Sequence, residues 1–177
     1  LPVAVETGVN YLKTRRDELR DGEFVAQVVQ SADCQLLLDL HNVFTNALNG
    51  RQPIDEFLDD LPLDRVCEIH LAGGMELEGF WLDAHSGAIP DALFAVAERV
   101  IPRLPNLGAI IFEIFPSFVP EVGLDLVEEQ IRRLHDLWSL RSGAGAPRPI
   151  SGTRTISTRM DDDQLLPESW ERALGAL

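Results

Sequence analysis

The sequence predicts an α/β fold of the (β/α)8 TIM-barrel type, and three observations carry that prediction. Short apolar runs alternate with segments of helical periodicity, the pattern of a parallel sheet with crossover helices. Four of those runs end in a carboxylate or an imidazole: Val3-Ala4-Val5 in Glu6, Leu36-Leu37-Leu38 in Asp39, Val66-Cys67-Glu68-Ile69 in His70, and Ile110-Ile111-Phe112 in Glu113. Parallel α/β folds place their chemistry at the C-terminal ends of strands, so four such endings in register describe a ring of ligands on one rim. Four β/α units make half of a barrel that takes about 250 residues. A small open doubly wound sheet is the competing architecture. The delivery of every polar ending to one rim favours the half-barrel.

Taken in order, residues 2–6 are the first strand, and residues 7–20 a polar, charged loop. A helix capped by Asp21 follows, with Phe24, Val25, Val28 and Val29 on its apolar side. Residues 35–39 are the second strand, an apolar run buried on both faces. A short helix over His41–Leu48 stops at Asn49-Gly50, and another over Ile54–Leu61 is framed by Pro53 and Pro62. Residues 65–71 are the third strand. The glycine-punctuated stretch from Ala72 to Ile89 reads as a long functional loop with Met75, Phe80 and Trp81 as lid or wall residues. Pro90–Leu104 is helical, with Leu93, Val96, Ala97, Val100 and Ile101 at helical spacing. Residues 108–114 are the fourth strand, and 115–122 a proline-bearing loop. The helix from Leu124 to Leu140 turns Leu126, Val127, Ile131, Leu134, Leu137 and Trp138 inward.

Residues 1–141 therefore form the barrel domain. Residues 142–177 form a tail that opens with the linker composition Ser142-Gly143-Ala144-Gly145-Ala146-Pro147 and could end in a terminal helix. A chain that opens directly in a strand is expected to be preceded by further residues. The net charge of −14 opposes a nucleic-acid partner, whose phosphates call for a basic surface. No apolar run is long enough to span a membrane. Cys34 and Cys67 read as small buried hydrophobes in a reducing, cytoplasmic setting.

The candidate chemistry rests on Glu6, Asp39, His41, Asn42, His70, Asp83, His85 and Glu113. Carboxylates mixed with imidazoles are the ligand set of iron, manganese or zinc. In an extended segment Asp83 and His85 point the same way and can grip one ion or two adjacent ones. Structural roles compete: Glu6 can cap the next loop, Asp39 can cap the next helix, and His70 can be a hydrogen-bonded core histidine. Glu113 is harder to place without a partner, because a buried lone carboxylate is costly. Glu68, two residues before His70, is a supporting partner for a ligand or a layer residue inside the barrel. His135 reads as structural, while Asn10, Tyr11 and Asn46 are candidates for hydrogen bonds to substrate that nothing in the sequence alone singles out. A nucleophile elbow, an electropositive cysteine and a phosphate cradle are all lacking.

Val5-Glu6, Leu36-Leu37-Leu38-Asp39-Leu40-His41-Asn42-Val43 with Asn46-Ala47, Glu68-Ile69-His70-Leu71-Ala72-Gly73, Leu82-Asp83-Ala84-His85 and the strand-end Glu113 carry a resemblance. Over roughly residues 2–140 the chain resembles the multinuclear iron-binding TIM-barrel family, once a domain of unknown function, that includes the methanobactin-biosynthesis enzyme MbnB. The wider relatives are the xylose-isomerase-like and endonuclease-IV-like barrels. The resemblance implies two or three irons at the C-terminal rim, with Glu6, Asp39, Asn42, His70, Asp83, His85 and Glu113 as metal ligands. It implies His41, Glu68 and Asn46 as supporting or substrate-contacting residues. It also implies an enzyme that uses dioxygen to modify cysteine in a ribosomally made peptide presented by a small partner protein. His41 stands where that family commonly has Asn, and Ile114-Phe115-Pro116 stands where relatives often continue Trp-Asp. The N-terminal half, which supplies further histidine ligands in the family, is not in this chain. Two other readings remain: a divalent-metal sugar isomerase or endonuclease-like barrel, and an incomplete barrel kept as a non-enzymatic binding or scaffold protein.

Overall fold

The structure, a computed structural model, describes residues 3–13, 15 and 17–141. The described residues fall within one compact unit, Leu1–Ala146. The expected linker and tail of 142–177 lie outside the described residues, as does Pro2 at the start of the first strand.

Strands β1 (Ala4–Glu6), β2 (Gln35–Asp39), β3 (Val66–Ala72) and β6 (Ala109–Glu113) form one parallel sheet in that spatial order. Each new strand is added on the same side of the last. With right-handed crossovers that succession places the helices on one face, which is consistent with a TIM-barrel-like fold; a doubly wound sheet reverses its order partway. The burial pattern agrees. Leu36, Leu38, Val66, Ile69 and Leu71 are fully covered and share one core with Val29, Val43, Phe57, Leu93 and Leu134. That core is packed by α1 (Asp21–Ser31), α2 (Leu40–Leu48), α3 (Ile54–Asp60), α4 (Asp91–Val100) and α6 (Leu124–Ser139). The opposite face of the sheet carries Glu6, Leu37, Glu68, Asp39, His70, Ile111 and Glu113, by the alternation of side chains along strands.

One register detail positions the chemistry. Leu36 pairs with Val66, but Leu37 pairs with Glu68, so Cys67 is an extra residue on β3. Without that one-residue slip Asp39 would face Ile69, and His70 would lie on the other side of the sheet. With it, Asp39 pairs with His70.

Several expectations change. Helix α1 is capped by Arg20, not Asp21, whose carboxylate instead grips Arg51. Phe24 is 59% exposed, because the buried line of α1 is Gly22, Ala26 and Val29. A Cβ at Gly22 would come within 2.8 Å of the Phe57 carbonyl and of Asp60, so α1 leans on α3 there and turns Phe24 out. The Ala72–Ile89 stretch holds a hairpin, β4 (Met75–Leu77) and β5 (Phe80–Leu82). Its turn places Glu78 and Gly79 at φ 52° and 83°, the two-residue geometry suited to hairpins. Helix α4 stops at Val100 and continues as a 3-10 turn over Ile101–Arg103, where Pro102 removes a helical donor. A short helix α5 (Val119–Val122) occupies the expected loop. On α6, Ile131 is exposed beside Ala109, Ile110 and Trp138 in a cavity of about 290 Å³, because β6 is a sheet edge with no further strand to cover it. Gln130 is buried instead, and its Oε1 accepts the Ile89 N–H at 3.1 Å.

Candidate metal centre

Each carboxylate or imidazole is delivered by a backbone feature. Asp39 ends β2 and caps α2, its Oδ1 accepting the Asn42 N–H at 2.8 Å. Thr7, just past β1, ties the two strands: Asp39 N–H donates to Thr7 Oγ1 at 2.9 Å, and that hydroxyl donates to the Asp39 carbonyl at 3.2 Å. His70 follows from the slipped register of β3. Its Nε2 is 2.7 Å from Glu68 Oε1, which leaves Nδ1 directed at 3.3 Å from Glu113 Oε1 and 3.7 Å from Glu6 Oε1. Glu68 therefore fixes which ring nitrogen faces the cluster.

Asp83 and His85 arrive from the loop after β5. His85 Nε2 lies 2.9 Å from Asp83 Oδ1 and 3.6 Å from Glu113 Oε2. His85 sits at φ 46°, in the left-handed region, and the two side chains meet as the Asp-x-His spacing led us to expect. Ser86 N–H donates to the Gly73 carbonyl at 2.8 Å, and a Cβ on Gly73 would sit 1.9 Å from the Ser86 oxygen, so the loop docks only on a glycine. The His85 ring stacks on Phe115 at 4.9 Å, and Phe115 N–H donates to the His85 carbonyl.

Two groups result whose ligand atoms lie within 4.8 Å of one another: Glu6, Asp39 and His70, and Asp39, His85 and Glu113. They share Asp39. The structure thus brings together six of the residues expected to bind metal, Glu6, Asp39, His70, Asp83, His85 and Glu113. Asn42 is adjacent to Asp39: its Nδ2 donates to the Thr7 carbonyl at 3.0 Å, while its Oδ1 is buried and unpaired. His70 Nδ1 and Asp83 Oδ1 are also buried, and their contacts with Glu113 at 3.3 Å and His85 at 2.9 Å lack hydrogen-bond geometry. Buried orphan atoms cost roughly 1–3 kcal/mol each, and three of them beside two acid–imidazole groups suit a cation. The donor set of oxygen and imidazole nitrogen fits iron, manganese or zinc.

Burial pushes the Asp39 carboxyl up to about 7, assisted by the nearby Glu113 and Asp83 carboxylates and opposed by the Asn42 N–H and His70. The fully buried His41 is pushed down to about 4 by burial, with Asp83 opposing and His85 assisting. Its Nε2 is 3.4 Å from Asp83 Oδ1, so a neutral His41 packs behind that carboxylate.

Some expectations fall elsewhere. Asn46 holds the loop after β1: its Oδ1 accepts the Asn10 N–H at 2.8 Å and its Nδ2 donates to the Gly8 carbonyl at 3.0 Å. Sequence reading gave Thr7, Phe115 and Asn49 no role in building the site. Asn49 holds the hairpin, accepting the Trp81 N–H at 2.9 Å and donating to the Trp81 carbonyl at 2.8 Å. Tyr11, considered for a substrate contact, accepts the Asp83 N–H on its Oη at 3.1 Å. A polar residue in a loop gives no pattern that would disclose such long-range contacts.

The fold and the cluster define an α/β protein with metal-capable acid–imidazole groups on the rim of a parallel sheet. The chain belongs to the MbnB/TglH/ChrH family of RiPP precursor modification enzymes, which matches residues 1–130. It is 36% identical over 110 residues to a UPF0276 protein of Acaryochloris marina, covering 62% of this chain and 40% of that one. A UPF0276 protein of Chromobacterium violaceum is 36% identical over 102 residues, 58% of this chain and 37% of the relative. One from Neisseria meningitidis serogroup C is 31% identical over 143 residues, 80% of this chain and 50% of the relative. The chain thus spans about half or less of the length of these curated relatives. None of the described helices is long and apolar enough to cross a membrane.

Proposed function

We propose that this chain is the C-terminal half of a TIM barrel whose rim holds a multinuclear metal centre, and that the intact enzyme oxidatively modifies cysteine in a ribosomally made precursor peptide. The family description supports the peptide, and a small partner protein would present it. The observation that carries the metal reading is the sharing of Asp39 between two three-residue groups. Glu6, Asp39 and His70 would hold one ion, and Asp39, His85 and Glu113 an adjacent one. Asn42 Oδ1 and Asp83 Oδ1 supply further oxygens to the pair.

Bound iron would supply the redox chemistry with dioxygen that no side chain of the cluster provides; manganese and zinc are the competing ions. The chain's own residues do the remaining work. Glu68 holds His70 so that Nδ1 faces the cluster, and neutral His41 backs Asp83 without adding charge. Gly73 and Phe115 fix the loop that carries His85. The free cysteines Cys34 and Cys67 fit a reducing cytoplasm.

Elemental analysis of the chain purified without oxygen tests the reading. More than one iron per chain is expected, and Asp39→Ala is expected to lose both ions, where Glu6→Ala loses one. A chain that binds no transition metal overturns the proposal and leaves a scaffold.

A further inference from the structure

The hairpin of β4 and β5 is not part of the main sheet and presents one unusual surface. Met75 pairs with Leu82 and Leu77 with Phe80, so these four side chains share one face. Met75, Leu77 and Phe80 are 44%, 55% and 49% exposed. On the other face Trp81 packs edge-to-face on Phe44, anchoring the hairpin to α2. The apolar face is thus turned away from the core, on the segment that leads directly into Asp83.

The edges of the hairpin differ. Both backbone groups of Trp81 are taken by the Asn49 side chain, so they point away from β4 and that edge is closed. In an antiparallel pair, the residue opposite Trp81 must also point its N–H and carbonyl outward. That residue is Glu76, which is exposed, and among the described residues no strand pairs with its outward edge. An open strand edge is a template for an added strand, and the main-chain bonds are made regardless of sequence. Side chains then select the occupant. An added strand places alternate residues on the Met75, Leu77 and Phe80 face and the others beside Glu76. Glu76 and Glu78 are the charged side chains of the hairpin, and both are exposed.

We infer that the free edge of β4 binds an extended peptide segment that alternates apolar with basic residues, by strand addition next to the metal centre. This deepens the function proposed above and rests on its peptide substrate. The apolar residues cover Met75, Leu77 and Phe80, and the basic residues meet Glu76 and Glu78. The added strand leads the peptide toward Asp83.

The test uses this chain and a short fluorescein-labelled peptide of alternating lysine and valine, followed by anisotropy. Two control peptides replace lysine with glutamate, or valine with serine. Glu76→Pro removes the outward N–H, which the hairpin itself does not use, and proline is tolerated at such edge positions. Leu77→Ser removes the centre of the apolar face. The lysine–valine peptide is expected to bind, and each variant and each control peptide to weaken binding by at least about tenfold, or roughly 1.4 kcal/mol. Equal binding to wild type and Glu76→Pro overturns strand addition, and equal binding of the glutamate peptide overturns the charge selection. If sedimentation shows a wild-type dimer that Glu76→Pro dissociates, the edge belongs to a second copy and the inference fails. Metal content measured on the same samples separates the two claims. Metal without peptide binding overturns this inference alone, and peptide binding without metal supports it while removing the metal reading.

Discussion

If the proposed metal centre forms, Asp39 is the residue at which stability and metal binding oppose each other. It is 1% exposed, and burial raises its carboxyl from 3.8 to about 7. Below pH 4 the group is protonated in both folded and unfolded chains and contributes no pH dependence. As pH rises, the unfolded chain ionises first while the folded one keeps its proton. Folding therefore loses stability until the folded group titrates near pH 7. A shift of about three units at 1.36 kcal/mol per unit amounts to ~4 kcal/mol. Asp39→Asn removes the titration and keeps the helix cap, since Asn caps as well as Asp. Urea unfolding of both chains in chelator isolates the effect, because the rest of the acid denaturation cancels in the difference. The variant should gain ~4 kcal/mol relative to wild type between pH 4 and pH 7. Saturating metal at pH 7 should then stabilise wild type far more than the variant. A difference that stays flat over this range would refute the claim that the cluster stores an uncompensated buried carboxyl.

Three further outcomes follow from the geometry. Glu68→Ala frees the Nε2 of His70, and metal affinity measured by competition with a chelator should fall about 10- to 100-fold, with Glu68→Gln recovering part of it. Gly73→Ala drives a Cβ to 1.9 Å from the Ser86 oxygen; it should cost about 1–3 kcal/mol by overpacking and lower metal content by displacing His85. Leu38→Ala, fully buried on the helix face, should cost about 2–5 kcal/mol in urea unfolding while leaving the metal stoichiometry of the folded chain unchanged.

The parallel sheet was legible because its strands announce themselves twice, by continuous apolar runs and by the acid or imidazole that ends each one. The same endings disclosed Glu6, Asp39, His70 and Glu113, since a strand end fixes the rim on which a residue lies. What stayed hidden depends on contacts that no local pattern encodes. The one-residue slip at Cys67 decides that His70 meets Asp39, yet an apolar run reads the same with or without it. The hairpin within residues 72–89 was masked by its glycines, which also mark loops. Phe24 and Ile131 were misplaced because periodicity tells which residues share a helix face but not which neighbour covers it. For Phe24 the close approach at Gly22 decided, and for Ile131 the open edge of β6.

Asp39 also shows why the helix-capping reading and the ligand reading are not alternatives. One oxygen accepts the Asn42 N–H, which orients the carboxyl without any metal and favours its charged form. Thr7 grips the backbone of the same residue from the neighbouring strand. The fold thus holds the carboxylate at the junction of two ligand groups, although burial makes its charge costly there. A free, solvated aspartate would bind a cation with less strain in the empty protein but would need ordering when the ion arrives. By placing that cost in the folded chain, the capped and buried Asp39 would leave a bound ion to relieve it, and binding would gain what folding gave up. Replacing the Thr7 hydroxyl, in Thr7→Val, should separate the two contributions. It loosens the residue without changing its charge, so metal affinity should fall while the pH dependence of folding stays. If the pH dependence vanished with the hydroxyl, burial of Asp39 would depend on Thr7 and the two costs would be one.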